Sequence, residues 1–224
     1  MTPDREPSLR ISRLHVPVTA LGPGRRIGLW LQGCGIGCPG CISLDTWDPK
    51  AAEPMTVADV VADCLAALDA DPTITGLTIS GGEPSEQAEP VAALVDAIRV
   101  AGFNRGREID VLLYSGLSWS ALRRRHPELT RSADLIIPGP FIAARAPGGP
   151  WCGSSNQELQ VLTQLGARRL AEQPAPTAGK TPLQVVVADG QLWTIGVPRP
   201  GDLDRALARA ADAGVKVGGL SWLT

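Results

Sequence analysis

Histidine, tyrosine and phenylalanine are scarce in this chain, which has 224 residues but only two His, one Tyr and two Phe. His15 and His126 lie far apart in sequence, so no histidine-based acid–base or nucleophilic site is predicted. The formal net charge is only −2. A broad basic face for nucleic acid and a polybasic patch for a membrane surface are therefore not expected.

Long apolar runs are also missing. No uninterrupted apolar stretch reaches the roughly 18 residues that indicate a membrane span. The first residues, Met-Thr-Pro-Asp-Arg-Glu-Pro, are polar and do not resemble the apolar core of a signal peptide. We therefore expect a cytoplasmic protein, in which thiols stay reduced. Its five cysteines are not expected to form a disulfide framework.

Strand-like and helix-like segments alternate along most of the chain. Strands are predicted at 27–33, 77–80, 110–115 and 134–137, and helices at 56–69, 87–100 and 119–125. Thr56 and Asp59 resemble a capping box for the first helix. Each predicted strand ends near Gly, Ser or Pro, and the alternation favours βα units around a parallel sheet. In such folds the chemistry collects at the carboxyl ends of the strands.

The last quarter of the chain has a different pattern. Residues 172–182 are rich in Pro and Ala and are predicted to be a linker between a core, 1–171, and an appendage, 183–224. In the appendage, apolar runs at 183–188 and 191–197 flank Asp189-Gly190, a strong hairpin signal. A final helix is predicted at about 202–213, ending at Gly214.

Three of the five cysteines fall within eight residues. Cys34, Cys38 and Cys41 have C-x3-C-x2-C spacing, and the glycines around them, Gly33, Gly35, Gly37 and Gly40, allow the loop to wrap around an inorganic cube. Iron–sulfur clusters usually take four cysteine ligands, so three would leave one iron open to a small molecule. A structural zinc site, which would need a fourth Cys or His, and a chance grouping of core cysteines are the alternatives. Cys64 reads as a small core residue, and Cys152 as structural or incidental.

At these cysteines the chain resembles the radical S-adenosylmethionine superfamily. The resemblance implies a [4Fe–4S] cluster on Cys34, Cys38 and Cys41, with S-adenosylmethionine bound at the open iron. A second likeness is Ser80-Gly81-Gly82-Glu83, which is similar to the Gly-Gly-Glu motif of that superfamily. The resemblance implies that these four residues, with Gly40 and Ser115, contact S-adenosylmethionine. It also implies that catalysis needs no protein group beyond the cluster and the cofactor.

Within that superfamily, residues 20–165 are most similar to the activating enzymes of anaerobic ribonucleotide reductase. The likeness rests on Gly22-Pro-Gly-Arg25, Thr46-Trp47, and the segments 112–116, 134–141 and 151–157. It implies a partial (β/α)6 TIM-like barrel, open on one side, with the C-terminal hairpin and helix as an appendage. After the predicted strand 134–137 the family has Asp-Gly, whereas this chain has Pro138-Gly139. Trp151 is predicted to anchor the partner protein.

Three functions are open on this basis. The leading one is an enzyme that cleaves S-adenosylmethionine reductively and installs a glycyl radical on a partner enzyme, with a flavodoxin or ferredoxin as electron donor. The second is a radical enzyme that modifies a small molecule or peptide directly, as in deazaguanine or natural-product biosynthesis. The third is a non-catalytic iron–sulfur redox module, which would have no need of the Gly-Gly-Glu segment.

Overall fold

A seven-stranded sheet organises the protein in the computed structural model, which describes residues 6–173, 182–188 and 191–215. In chain order its strands are β1 Ser8–Val18, β2 Arg25–Leu31, β3 Pro54–Thr56, β4 Ile74–Gly81, β5 Asp110–Ser115, β6 Leu135–Pro138 and β7 Gln160–Val161. Their spatial order is β3-β1-β2-β4-β5-β6-β7. The central strands β2, β4, β5 and β6 are parallel, whereas β1 and β7 run antiparallel to the strands they flank.

The mixed α/β class and the parallel centre of the sheet are confirmed. The described residues contain four parallel strands in this sheet rather than about six. The remaining strands of this sheet pair antiparallel: β1 with β2, β3 with β1 at one edge, and β7 with β6 at the other edge. The four predicted strands correspond to β2, β4, β5 and β6, but β1, β3 and β7 were not predicted.

One face of this sheet is covered by α1 Val57–Ala70, α2 Ala88–Phe103, α3 Trp119–Arg125 and α4 Pro127–Ser132. On the opposite face, α5 Gln164–Glu172 packs through Leu170 against Leu112, Leu135 and Ile137, and α6 Asp202–Asp212 follows near the end of the described residues. The predictions of α1, α2, α3 and α6 are confirmed within a few residues, and α4 and α5 were not predicted. None of the helices in the described ranges is long and apolar enough to cross a membrane.

The start of α1 shows how its sequence sets its boundary. The side chain of Thr56 accepts a hydrogen bond from the backbone N–H of Asp59 at 3.1 Å, which satisfies one of the free donors of the first turn. The Thr56 hydroxyl also donates to the Asp59 carboxylate at 2.7 Å. The predicted capping pair is therefore present, with the side chains bonded to each other.

Alternation along the parallel strands separates two environments. Side chains such as Leu29, Ile79 and Leu113 pack with the helices in the main core. Their neighbours in sequence point to the opposite, inner face of the sheet, because successive residues of a strand face opposite sides. On that face the fully buried Arg26 donates to the carboxylate of Asp110 at 2.7 Å and to the hydroxyl of Thr78 at 2.7 Å. This polar layer lies at the amino end of the strands, away from the cysteines.

Part of the inner face is covered by a second, two-stranded sheet. Strands β8 Gln184–Ala188 and β9 Gln191–Ile195 form the predicted antiparallel hairpin. Its predicted turn, Asp189-Gly190, lies outside the described residues, as do 174–181 of the predicted linker and 216–224 of the predicted appendage. Ile195 is buried against Val18 and Leu21. The division into core, linker and appendage stays a prediction.

Candidate functional site

The carboxyl ends of β2, β4, β5 and β6 lie side by side and are joined by backbone hydrogen bonds. The N–H of Gly82 donates to the carbonyl of Leu31 at 2.8 Å, and the N–H of Glu83 donates to the carbonyl of Gly33 at 2.8 Å. On the other side, the N–H of Gly139 donates to the carbonyl of Ser115 at 2.9 Å. The structure therefore brings the cysteine loop, the Gly-Gly-Glu segment and Ser115 to one edge of the sheet.

Two glycines allow this close contact. At Gly82 a Cβ atom would lie 2.2 Å from the carbonyl oxygen of Gly33, a distance that no side chain can adopt. Gly81 has a φ of +89°, in the left-handed region that favours glycine, and a Cβ there would lie 2.7 Å from the backbone nitrogen of Leu31. The contact between the end of β4 and the cysteine loop therefore requires glycine at positions 81 and 82.

The cysteine loop leaves β2 and returns to it. The N–H of Gly33 donates to the carbonyl of Thr46 at 2.8 Å, and the N–H of Cys34 donates to the carbonyl of Trp47 at 3.1 Å. These bonds pair the first cysteine with the segment that follows the last one. All three thiols consequently stay near the carboxyl end of β2.

A buried glutamine closes the base of the loop. Gln32 is 3% exposed, and its side-chain amide donates to the carbonyls of Asp45 at 2.9 Å and Asp48 at 2.8 Å. The backbone carbonyl of Gln32 accepts a hydrogen bond from the Gln87 side chain at 3.1 Å. The sequence analysis missed this role, because the partners are 13, 16 and 55 residues away and no local pattern indicates them.

The three loop thiols form a donor set that fits a cube with separate irons. Cys34, Cys38 and Cys41 are all free and partly exposed. Burial raises the pKa of Cys34 and that of Cys38, while backbone N–H groups act in the opposite direction, from Gly37 on Cys34 and from Phe141 on Cys38. The N–H of Ser43 donates to the sulfur of Cys41 at 3.4 Å. Backbone donors of this kind favour the thiolate form, which is the form that binds iron.

The same environment disfavours the zinc alternative. Over the described ranges, no three His, Cys, Asp or Glu side chains are gathered closely enough to hold a single metal ion. His15 lies against Trp193, with ring centres 5.8 Å apart, and Cys64 is on the buried face of α1. Thiols that bind different irons of one cube need not meet at one point, so the spacing of the loop suits a cluster better than a tetrahedral ion.

Glu83 and Ser115 are held by each other. The carboxylate of Glu83, 2% exposed, accepts hydrogen bonds from the Ser115 hydroxyl at 2.8 Å and the Gly116 N–H at 2.6 Å. It also accepts from the N–H of Ser85 at 3.0 Å. These contacts join the end of β4 to the end of β5. Of the predicted cofactor contacts, Ser80 and Gly81 are more open than Glu83 and Ser115, and Gly40 is exposed.

The prediction that Trp151 anchors a partner is wrong. Trp151 is only 2% exposed and packs with Leu112, Leu135 and Ile137 on the inner face of the sheet. Its neighbour Cys152 belongs to the same cluster, and burial raises the pKa of this thiol to about 11. The Trp151 side chain is therefore part of the apolar core on the inner face and is not exposed on the surface, where the sequence analysis placed it.

The rest of the 151–157 segment holds the loop after β6. The side chain of Asn156 donates to the carbonyl of Pro140 at 2.8 Å, and that of Gln157 donates to the carbonyl of Gly139 at 2.7 Å. The Gln157 side chain also accepts from the N–H of Gly153 at 2.8 Å. This loop reaches the cysteines, since a Cβ on Gly40 would lie 3.5 Å from the Phe141 ring.

Comparisons with known proteins match the part of the chain that carries this site. Residues 20–160 match the family model described as a 4Fe-4S single cluster domain. The anaerobic ribonucleoside-triphosphate reductase-activating protein of Vibrio cholerae is 32% identical over 145 residues, which cover 63% of this chain and 91% of that relative. The protein of the same name from Enterobacteria phage T4 is 30% identical over 140 residues, covering 62% and 85%. The pyruvate formate-lyase-activating enzyme of Streptococcus mutans is 34% identical over 118 residues, covering 52% and 44%.

Proposed function

Since the chain belongs to the family of anaerobic ribonucleoside-triphosphate reductase-activating proteins, built on a 4Fe–4S single-cluster domain, we propose that it installs a glycyl radical on a partner enzyme. The observation that carries the proposal is the joining of the three-thiol loop to the Gly81-Gly82-Glu83 segment by backbone bonds between neighbouring strand ends. A redox module that only stores an electron would not need a second, ligand-binding segment at that edge.

In this proposal Cys34, Cys38 and Cys41 would hold the [4Fe–4S] cluster beside bound S-adenosylmethionine. When bound and supplied with an electron, the two groups would provide the radical chemistry that removes a hydrogen atom from a glycine Cα of the partner. The three thiolates require the reduced state of the cysteines, which are free in the structure. An external donor of the flavodoxin or ferredoxin type would deliver the electron.

The chain itself orients the reactants. The side chain of Ser80 and the backbone of Gly81 and Gly82 line the edge next to the cysteine loop, where glycine lets a ligand approach the backbone. Glu83 acts by holding the Ser115–Gly116 turn against the end of β4, with bonds of 2.8 Å and 2.6 Å. Because its carboxylate already accepts these bonds, we assign it a positioning role in addition to the predicted cofactor contact. The parallel strands would form the wall of a partial barrel that is open to the partner.

An anaerobic radical assay tests the proposal. The protein is reconstituted with iron and sulfide, reduced, and mixed with S-adenosylmethionine and an anaerobic ribonucleoside-triphosphate reductase. We expect a doublet glycyl signal in the electron paramagnetic resonance spectrum, together with 5′-deoxyadenosine and methionine. The variant Cys34→Ala should give neither, while Cys64→Ala, a change in the core cysteine, should keep both.

Two results would contradict the proposal. Failure of the wild-type protein to bind a cluster would refute the site itself. Formation of 5′-deoxyadenosine with a modified small molecule or peptide, and no glycyl signal on any such reductase, would assign the radical chemistry to a different substrate.

A further inference from the structure

Glu86 places a negative charge directly beside the cysteine loop. Its carboxylate oxygen Oε1 accepts a hydrogen bond from the backbone N–H of Gly35 at 2.6 Å, although the two residues are 51 positions apart in sequence. Gly35 is the residue immediately after Cys34. A bond to the charged carboxylate is shorter and stronger than one between neutral groups. The loop is therefore attached to Glu86 at its first cysteine.

The position of Glu86 is fixed by the turn that contains it. This short 3-10 turn, Pro84–Gln87, follows the Gly-Gly-Glu segment, and the N–H of Glu86 donates to the carbonyl of Glu83 at 3.1 Å. The next residue, Gln87, accepts a hydrogen bond from the N–H of Arg10 at 2.7 Å. These bonds fix the backbone of the turn at Glu86, and the Gly35 N–H holds its carboxylate, even though the residue is exposed to solvent.

The loop is shaped to receive this carboxylate. A Cβ atom on Gly35 would lie 2.8 Å from Oε1 of Glu86, so a larger residue would push the carboxylate away. The glycine after the first cysteine is explained by this contact. The contact is closer than at the neighbouring glycines, because a Cβ on Gly33 would lie 3.9 Å from Oε2 of Glu86 and one on Gly37 would meet no atom within 4 Å.

Two physical effects follow for a cluster held by this loop, and they have the same sign. A nearby negative charge disfavours the addition of an electron, which lowers the reduction potential. The N–H of Gly35 is also bonded to the carboxylate and is not free to donate to a cluster sulfur, and hydrogen bonds to sulfur are among the factors that set the potential. Both effects make the reduced cluster a stronger reductant.

We propose that Glu86 is a positioning residue that lowers the reduction potential of the cluster through its contact with Gly35. The inference rests on the proposed function only for the presence of a cluster on Cys34, Cys38 and Cys41. It concerns the electron that enters the site and is independent of which partner or substrate receives the radical.

The test is a potentiometric titration of the reconstituted protein, monitored by the electron paramagnetic resonance signal of the reduced cluster, without partner. Glu86→Gln keeps an oxygen that can accept the Gly35 N–H but removes the charge, and Glu86→Ala removes both. Glu89→Gln is the matched control, because Glu89 is an exposed carboxylate in the first turn of α2. Iron and sulfide are counted in every sample.

We expect the potential to rise in the order wild type, Glu86→Gln, Glu86→Ala, with Glu89→Gln equal to wild type. The difference between wild type and Glu86→Gln should shrink at high salt, since exposed charges are screened. Equal potentials in wild type and both Glu86 variants, at full cluster content, would overturn the inference and leave the proposed function intact. If only Glu86→Ala fails to bind a cluster, the inference is judged on the reduction potential of Glu86→Gln compared with that of Glu89→Gln. A wild-type protein without a cluster would refute both proposals.

Discussion

Two glycines of the site lie so close to neighbouring atoms that a side chain would not fit without a shift. Gly82 meets the carbonyl of Gly33, and Gly35 meets the carboxylate of Glu86. At the first position the obstacle is backbone, which cannot rotate away, and at the second it is the end of a flexible side chain. The two glycines should therefore respond differently to substitution, with the larger effect at Gly82.

Replacing Gly82 by alanine should separate the end of β4 from the cysteine loop. We expect the free energy of unfolding of the apo protein to fall by about 1–3 kcal/mol, the range for overpacked positions. Iron content after reconstitution should fall as well, because the loop loses its support. Gly149→Ala is the control, since a Cβ at Gly149 would meet no atom within 4 Å. Urea unfolding and iron analysis measure both effects, and equal behaviour of the two variants would contradict the steric argument.

A buried thiol far from the site makes stability depend on alkaline pH. Burial on the core-facing side of α1 raises the pKa of Cys64 from 9.0 to about 12. In the unfolded chain the thiol ionises near its ordinary pKa, whereas the folded protein keeps it protonated until about pH 12. The stabilising contribution is therefore complete below pH 9 and is lost progressively as pH rises from about 9 to about 12.

The variant Cys64→Ala should remove this contribution. Between pH 8 and pH 10 we expect the free energy of unfolding to fall by about 1.4 kcal/mol less in the variant than in wild type, the value for one thiol that ionises only when unfolded. Ser132→Ala, which changes a buried hydroxyl that does not titrate in this range, should shift stability equally at both pH values. Parallel pH dependences in wild type and Cys64→Ala, from urea unfolding, would show that the thiol ionises in the folded state too.

At the scale of elements, the cysteine loop is a closed unit rather than a flexible connection. Backbone bonds from Gly33 and Cys34 to the segment at Thr46–Trp47 close it, and the Gln32 side chain ties that segment to the end of β2. The many glycines of the loop allow its turns, but these contacts decide its shape. Loss of the glutamine bonds should therefore loosen the loop without unfolding the sheet.

We predict this effect for Gln32→Leu, which keeps the size of the side chain but removes two donated bonds. Stability should fall by about 1–3 kcal/mol, since a typical hydrogen bond contributes about 0.5–1.5 kcal/mol. Iron release from the reconstituted protein to a chelator should become faster, while the far-ultraviolet circular dichroism spectrum is unchanged. Gln160→Leu is the control. The Gln160 side chain donates an exposed hydrogen bond to the carbonyl of Glu158 at 3.2 Å, away from the cysteine loop. Wild-type rates of iron release in Gln32→Leu would contradict a role in loop closure.

At the scale of the whole molecule, the C-terminal hairpin shares a core with the sheet. Ile195 is 3% exposed and packs with Val18 and Leu21, and the Arg13 side chain lies 5.3 Å from the ring centre of Trp193. The Vibrio cholerae relative is matched over 91% of its own length by only 63% of this chain. Less than a tenth of that relative lies outside the match, whereas more than a third of this chain does.

The variant Ile195→Ala tests whether the C-terminal hairpin folds together with the core. We expect one cooperative unfolding transition, shifted by about 2–5 kcal/mol, the range for large-to-small changes in a core. Val185→Ala, at a position 56% exposed on the same hairpin, should change stability by less than about 0.5 kcal/mol. Two separate transitions, with the main one unchanged by Ile195→Ala, would show that the hairpin folds independently.

The sequence by itself determined the local features of this protein. The C-x3-C-x2-C spacing, the Gly81-Gly82-Glu83 segment and the apolar periodicity of α1 and α2 lie within single elements, so their patterns are complete in a short window. The central strands could be predicted for the same reason. Strand β1, which lies between β3 and β2, was missed: its side chains are mostly half-buried, and its pairing with β2 is irregular between Ile11 and Arg13.

Only the tertiary structure decided how these features meet. Gln32 and Glu86 bond to groups 13 to 51 residues away, Glu83 turns its carboxylate toward the end of β5, and Trp151 fills the inner face of the sheet. Each outcome depends on which strands are neighbours and on the space between them. A local pattern indicates which residues are available for chemistry, whereas packing in three dimensions determines which of them contact the cysteine loop.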